Sequence, residues 1–368
     1  MYFPAFQEFE AHSDEATRAL PENKPSVIVY DVSSAGDNGQ YEIVKKFITK
    51  YEPRILVHEG DEFEASPHKW KYGEGTDLYH LVPLVLRHYS VYPYTTSSKW
   101  FPNVMQIPLG YIRGMLDYGD PSKEENAVIV KTPTPILLGE PKHEIPTPPK
   151  KGLNYVYNFA SIVPPGTVGA LTTENSSNEN GVHQMNMIEA IQFHHKKGAV
   201  DRYYLWSFIG IIAGHHGDRH AILDALGEAT NTSAGYPFVM DAGLNARQMR
   251  DLYAISKFVV VGRGHQNLEC YRMYEAIIAG AIPIVVDYFK VVLRTLAFAG
   301  DYPPFVIYEP FRSWSKDNFT QIALDIQQMN NSYIDFIREE SANWLIRNTQ
   351  KVHQKVTEML HQKVYSKG

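Results

Sequence analysis

The sequence predicts an α/β protein built from two doubly wound, Rossmann-like units and closed by C-terminal helices. Three observations predict it. Short runs of β-branched and aromatic residues recur, each followed by a polar or glycine-rich turn and then by apolar residues at helical spacing. The runs are almost continuously apolar, which is the pattern of parallel strands covered on both faces. The length, 368 residues, is more than one domain usually holds and suits two.

Residues 26–32, SVIVYDV, read as the first strand, and the turn after them leads to Tyr41, Val44, Phe47 and Ile48 on one helical face. Residues 54–58, 82–87 and 104–107 are further short strands, each closed by polar, glycine or proline residues. They make one α/β layer, an N-terminal unit over residues 1–117. From 118 to 200 the character changes, with eight prolines between 133 and 165 and a polar tract at 172–181. This stretch reads as an insertion or linker, with one helix near 184–195 carried by Met187, Ile188, Ile191 and Phe193.

The alternation resumes over 201–330, the second unit. Strands are expected at 203–209, 237–240, 257–261 and 282–287, and helices at 219–229, 246–255 and 268–279. After a short run at 305–308, residues 318–363 read as helices, with Ile322, Ile326, Met329, Ile334, Ile337, Trp344 and Leu345 at apolar positions. Residues 331–368 form the C-terminal helical segment.

Composition removes several functions. Lys and Arg number 35 against 41 Asp and Glu, a net charge of −6, so the basic surface that a nucleic-acid backbone requires is absent. One cysteine, Cys270, excludes an internal disulfide and a cysteine-rich zinc module, and a reducing compartment is expected. Residues 1–21 carry acidic and aromatic residues rather than a basic and then apolar leader. The longest apolar stretch, 276–286, is about half of the roughly 20 residues of a membrane span. A cytoplasmic chain without a membrane span is the expectation. A Gly-x-Ser-x-Gly elbow and a Walker loop are both missing. His215, His216 and His220 lack the glutamate of a zincin helix, and Glu59-Gly-Asp61 is the nearest approach to an Asp-x-Asp pair. No metal is expected.

The turn at 262–267, GRGHQN, leaves a strand and opens a helix, where unpaired backbone N–H groups and a dipole end attract anions. Gly262 and Gly264 allow close approach of the backbone, Arg263 adds a charge and Asn267 can cap the helix. On the helix, Arg272 and Glu275 share a face, suited to a phosphate and to sugar hydroxyls. The plainer alternatives are a tight βα turn with a surface arginine and an i,i+3 ion pair. Gly210 and Arg219 bracket the first βα turn of this unit, a second ligand position. In the first unit, residues 58–62 bring three carboxylates to the sheet edge, and Asp61 or Glu62 is the candidate general base, with Asp31 in reserve. A solvated acidic loop is the alternative there.

Residues 256–264, SKFVVVGRG, followed by 270–284, CYRMYEAIIAGAIPI, resemble the donor-binding signature of exostosin-type GT-B glycosyltransferases. Residues 203–210, YYLWSFIG, with Arg219 support it, as do 58–62, Arg87-His88-Tyr89 and 107–111 in the first half. These are similar to the exostosin-like ribitol xylosyltransferase group and to soluble glycosyltransferases of large algal viruses. The resemblance implies two Rossmann-like domains facing across a cleft and an inverting transfer to a glycan hydroxyl. The donor would be a nucleoside diphosphate sugar, with UDP and xylose the best guesses, and no metal would be obligate. Arg263 and Arg272 would hold the diphosphate, Glu275 the ribose, and a first-domain carboxylate would take the acceptor proton. Secretory relatives carry a membrane anchor and lumenal cysteines, which this chain lacks, and 118–200 has no counterpart. Two other functions fit the same fold: a non-catalytic nucleotide-sugar or glycan binding module, and a two-domain sugar-nucleotide epimerase.

Overall fold

The computed structural model describes residues 27–31, 40–59, 76–88, 102–108, 110, 115–118, 183–184, 186–210, 217–229, 236–240, 244–262, 270–286, 303–305, 307–308 and 316–365. They form two parallel sheets and a short antiparallel ribbon, with helices on the sheet faces. The α/β class expected from the sequence is observed.

The first sheet runs β1 (Val27–Asp31), β2 (Ile55–Glu59), β3 (Leu84–Arg87), β4 (Val104–Gln106), in that order and all parallel. Its strands read as unbroken apolar runs because both faces are covered. One face, with Tyr30, Leu56 and Val85, packs against Ile48 of helix α1 (Gln40–Tyr51) and Leu78 and Tyr79 of a 3-10 turn (Thr76–Leu81). The other face, with Ile55, Val57, Leu84 and Leu86, packs against Val352 and Leu360 near the end of the chain.

Strand β5 (Asp117–Tyr118) pairs antiparallel with β6 (His183–Gln184), so the segment between them leaves and returns at neighbouring points. Helix α2 (Met187–His194) follows. Asn186 accepts from the backbone of Glu189, whose carboxylate accepts from the backbone N–H of Asn186, a reciprocal cap that sets the helix start. Met187, Ala190 and Ile191 lie in the core of the second sheet, so this helix is part of that packing unit.

The second sheet contains β7 (Tyr204–Ile209), β8 (Tyr236–Met240), β9 (Ser256–Val261), β10 (Ile282–Val286) and β11 (Ile307–Tyr308), ordered β11-β10-β9-β7-β8 and parallel throughout. Helices α3 (Gly217–Ala229), α4 (Ala246–Tyr253) and α5 (Tyr271–Ile278) lie between successive strands, and α6 (Lys316–Gln328) and α7 (Asn331–Leu360) follow. The chain starts at β7, steps outward to β8, then crosses back over β7 to β9 and continues away. The order therefore reverses between β7 and β9.

Several boundaries differ from the sequence reading by up to three residues. Helix α5 begins at Tyr271 rather than 268, because Cys270 is extended (φ −144°, ψ 144°) and occupies the N-cap; Asn267, the expected cap, lies outside the described residues. The C-terminal helices divide at Asn330, whose side chain accepts from the Tyr333 N–H and starts α7. At 30 residues, α7 is about 45 Å long. Ile334, Ile337, Trp344 and Leu345 join the core of the second sheet, whereas Val352 and Leu360 cover the first. Among the described residues no helix is long and apolar enough to cross a membrane.

Candidate functional site

In open parallel sheets, ligands bind beyond the carboxyl ends of the strands at the point where strand order reverses, because the connections diverge there and leave a crevice. Here that point lies between Ile209–Gly210 and Val261–Gly262. Both strands end in a glycine covered by an arginine from a helix. Arg272, in the first turn of α5, donates from Nε to the Ile209 carbonyl at 2.5 Å and from Nη1 to Cys270 Sγ at 3.2 Å. Its guanidinium carbon lies 5.5 Å from the centre of the Phe208 ring, a cation–π contact. Gly210 has φ +155°, and a Cβ there would fall on Arg272 Nη2. Arg219, buried on α3, crosses Gly262 so closely that a Cβ would lie 2.8 Å from its Cγ. The two glycines thus make room for two arginines, on adjacent strand ends.

Glu275 lies one turn beyond Arg272 and is fully buried. Burial works against the charge of Arg272, but Cys270, Tyr253 and Glu275 outweigh it, so the guanidinium holds its proton more firmly than usual. Nη2 lies along Gly210. Two guanidiniums and one carboxylate thus lie at and beside these strand ends, with Arg272 and Glu275 on α5 and Arg219 on α3. Such a combination attracts an anion with several oxygens, and the guanidinium fork can grip two of them.

The structure therefore gathers four of the residues named from the sequence, Gly210, Arg219, Arg272 and Glu275, around one pair of strand ends. Asp61, Glu62, Arg263 and Gly264 lie outside the described residues, as do His215 and His216. Asp31 closes β1 at the corresponding edge of the first sheet. Sequence reasoning missed Cys270, which sits at the N-cap and holds Arg272 rather than lying inside the helix. It also missed Tyr253, the last residue of α4, for which no local motif gives a signal.

The first sheet carries its own polar cluster at the same edge. His58, Arg87 and His88 are buried at the ends of β2 and β3. His58 Nδ1 is 2.5 Å from the Tyr79 hydroxyl and 2.9 Å from Arg87 Nη1, which also donates to Tyr79. Tyr30 stacks on His58 with ring centres 4.9 Å apart. Burial, and then the charge of Arg87, lower the pKa of His88 to about 3, so that it is neutral at any ordinary pH.

No protein-family model matches the chain, and no curated protein matches it either.

Proposed function

We propose that the chain is an inverting glycosyltransferase of GT-B type. It would move a sugar, xylose the best guess, from a UDP-linked donor to a glycan hydroxyl. The observation that carries the proposal is the pair of arginines on glycine-ended strands at the reversal of strand order, with a buried carboxylate one helical turn away. A diphosphate fits that charge, and a nucleoside ribose offers Glu275 a pair of hydroxyl donors.

In this reading Arg272 and Arg219, with Arg263 and the turn after β9, hold the diphosphate. They gain most from it as the glycosidic bond breaks and negative charge builds on the leaving phosphate. Asp61 or Glu62, two and three residues beyond β2, takes the proton of the acceptor hydroxyl as its oxygen attacks the anomeric carbon. A single displacement inverts that carbon. The long helix α7, packed on both sheets, supports an arrangement in which the first sheet presents the acceptor and the second the donor.

The test is transfer and donor hydrolysis with a panel of nucleoside diphosphate sugars. Arg272→Ala is expected to lower turnover about 100- to 1,000-fold and to weaken UDP binding. Of Asp61→Ala and Glu62→Ala, one is expected to stop transfer while sparing UDP affinity. Tight nucleotide binding with neither transfer nor hydrolysis would make the chain a binding module. Donor conversion without an acceptor would make it an epimerase. A chain that binds no nucleotide would refute the proposal altogether.

A further inference from the structure

Behind Arg272 lies Tyr253. Its ring is fully buried, in the cluster that also contains Ile209, whose carbonyl receives Arg272 Nε, and Ala276, the neighbour of Glu275. Its own carbonyl accepts from Arg202 Nη1 at 3.1 Å, so main chain and ring are both held. The hydroxyl stands within reach of the Arg272 guanidinium but completes no hydrogen bond of good geometry among the described residues, and the charges acting on it are those of Arg272, Glu275 and Cys270. Burial foremost keeps the phenol neutral, able to accept with its oxygen and donate with its proton.

A buried hydroxyl left in this condition costs stability, and cores seldom retain one without a use. The use follows from the geometry of Arg272. Two corners of its fork are engaged, Nε by a carbonyl and Nη1 by a sulfur, and sulfur is a weak acceptor that fixes direction poorly. An anion reached by Nη2 would pull the guanidinium forward against that weak tether. We propose that Tyr253 is a positioning residue of the β7/β9 crevice. Once an anion draws the guanidinium forward, its hydroxyl takes a hydrogen bond from Arg272 and turns its proton to Glu275, fixing the line along which Nη2 meets a diphosphate oxygen. The inference rests on the reading of this crevice as the donor site.

Tyr253→Phe removes one oxygen and keeps the ring. Titration calorimetry with UDP, on the full chain, is expected to show affinity about tenfold weaker in Tyr253→Phe than in the wild type. The thermal midpoint should change little, since in the unliganded chain the hydroxyl stands beside Arg272 without completing a hydrogen bond of good geometry. In an Arg272→Lys background, where the fork is gone, the same substitution should change UDP affinity by less than about twofold, the sign that Tyr253 acts through the arginine. Unchanged affinity in Tyr253→Phe would overturn the inference, as would a fall in thermal midpoint that accompanies the loss, or an equal loss in both backgrounds. A wild-type chain that binds no UDP would overturn the reading of the crevice itself, and the inference with it. A wild type that binds UDP together with an unaffected Tyr253→Phe overturns the inference alone.

Discussion

Gly210 and Arg272 depend on each other. The arginine occupies the volume that any side chain at 210 would need, and it is pinned there through the Ile209 carbonyl. Gly210→Ala is therefore expected to displace the guanidinium, weakening UDP binding at least about tenfold and costing about 1–3 kcal/mol of stability. Calorimetry and urea unfolding check the two effects; normal affinity would show that the crevice does not need Arg272 where it lies. The types of residue at this site were legible in the sequence, since a glycine after a strand and an arginine on a buried helix each carry a physical meaning alone. Their partnership was not, because Ile209 and Arg272 are 63 positions apart and only the sheet order brings them together. Tyr253 was invisible for the same reason, as its role lies wholly in neighbours from other elements.

At the scale of elements, the second sheet is tied together at its opposite edge by Arg202. Its Nη1 donates to the carbonyls of Tyr253 and Ser256 at 3.1 and 2.9 Å, and its Nη2 to those of His194 and Ala279 at 3.3 Å. The ends of α2, α4 and α5 thus share one cation, which also complements their dipoles. Burial foremost, and then the charge of Arg338, lower its pKa to about 9, and it remains charged at neutral pH. Arg202→Met is expected to cost about 3–5 kcal/mol in urea unfolding, since it leaves several buried carbonyls unpaired; a loss below about 1 kcal/mol would contradict the role. Helix α7 offers a second test. Leu360→Ala is expected to cost about 2–4 kcal/mol and to speed amide exchange in β2 and β3 while β9 and β10 keep their protection. Equal effects on both sheets would show that Leu360 does not act on the first sheet in particular. Strands and most helices were legible from apolar periodicity. The start of α5 was not, because an extended Cys270 without a side-chain cap leaves no mark in the sequence.

The molecule as a whole buries histidines that resist protonation. The pKa of His88 and of His194 falls to about 3 and that of His195 to about 4, in each case through burial foremost, followed by nearby arginine charge. An unfolded chain protonates these groups near pH 6.5, whereas the folded chain does so only near 3 to 4. Below pH 6.5 the unfolded state therefore binds more protons, and stability falls as the pH drops. Each histidine contributes up to about 1.4 kcal/mol per pH unit across that window. Urea midpoints from pH 7 to 4.5 should show the decline, and His88→Gln should make it shallower; a flat profile would contradict the burial of these rings. Strand order, like these burials, belongs to the whole fold. Nothing local in the chain between β8 and β9 dictates that β9 pairs with β7, yet the ends of those two strands are neighbours only because it does.

The account turns on whether that crevice receives two linked phosphates, and a crystal structure of the chain with UDP tests this most directly. The diphosphate is expected beyond the ends of β7 and β9, with an oxygen at about 2.8 Å from Arg272 Nη2 and another in reach of Arg219. A diphosphate bound elsewhere, or UDP absent at saturating concentration with both arginines unmoved, would contradict it.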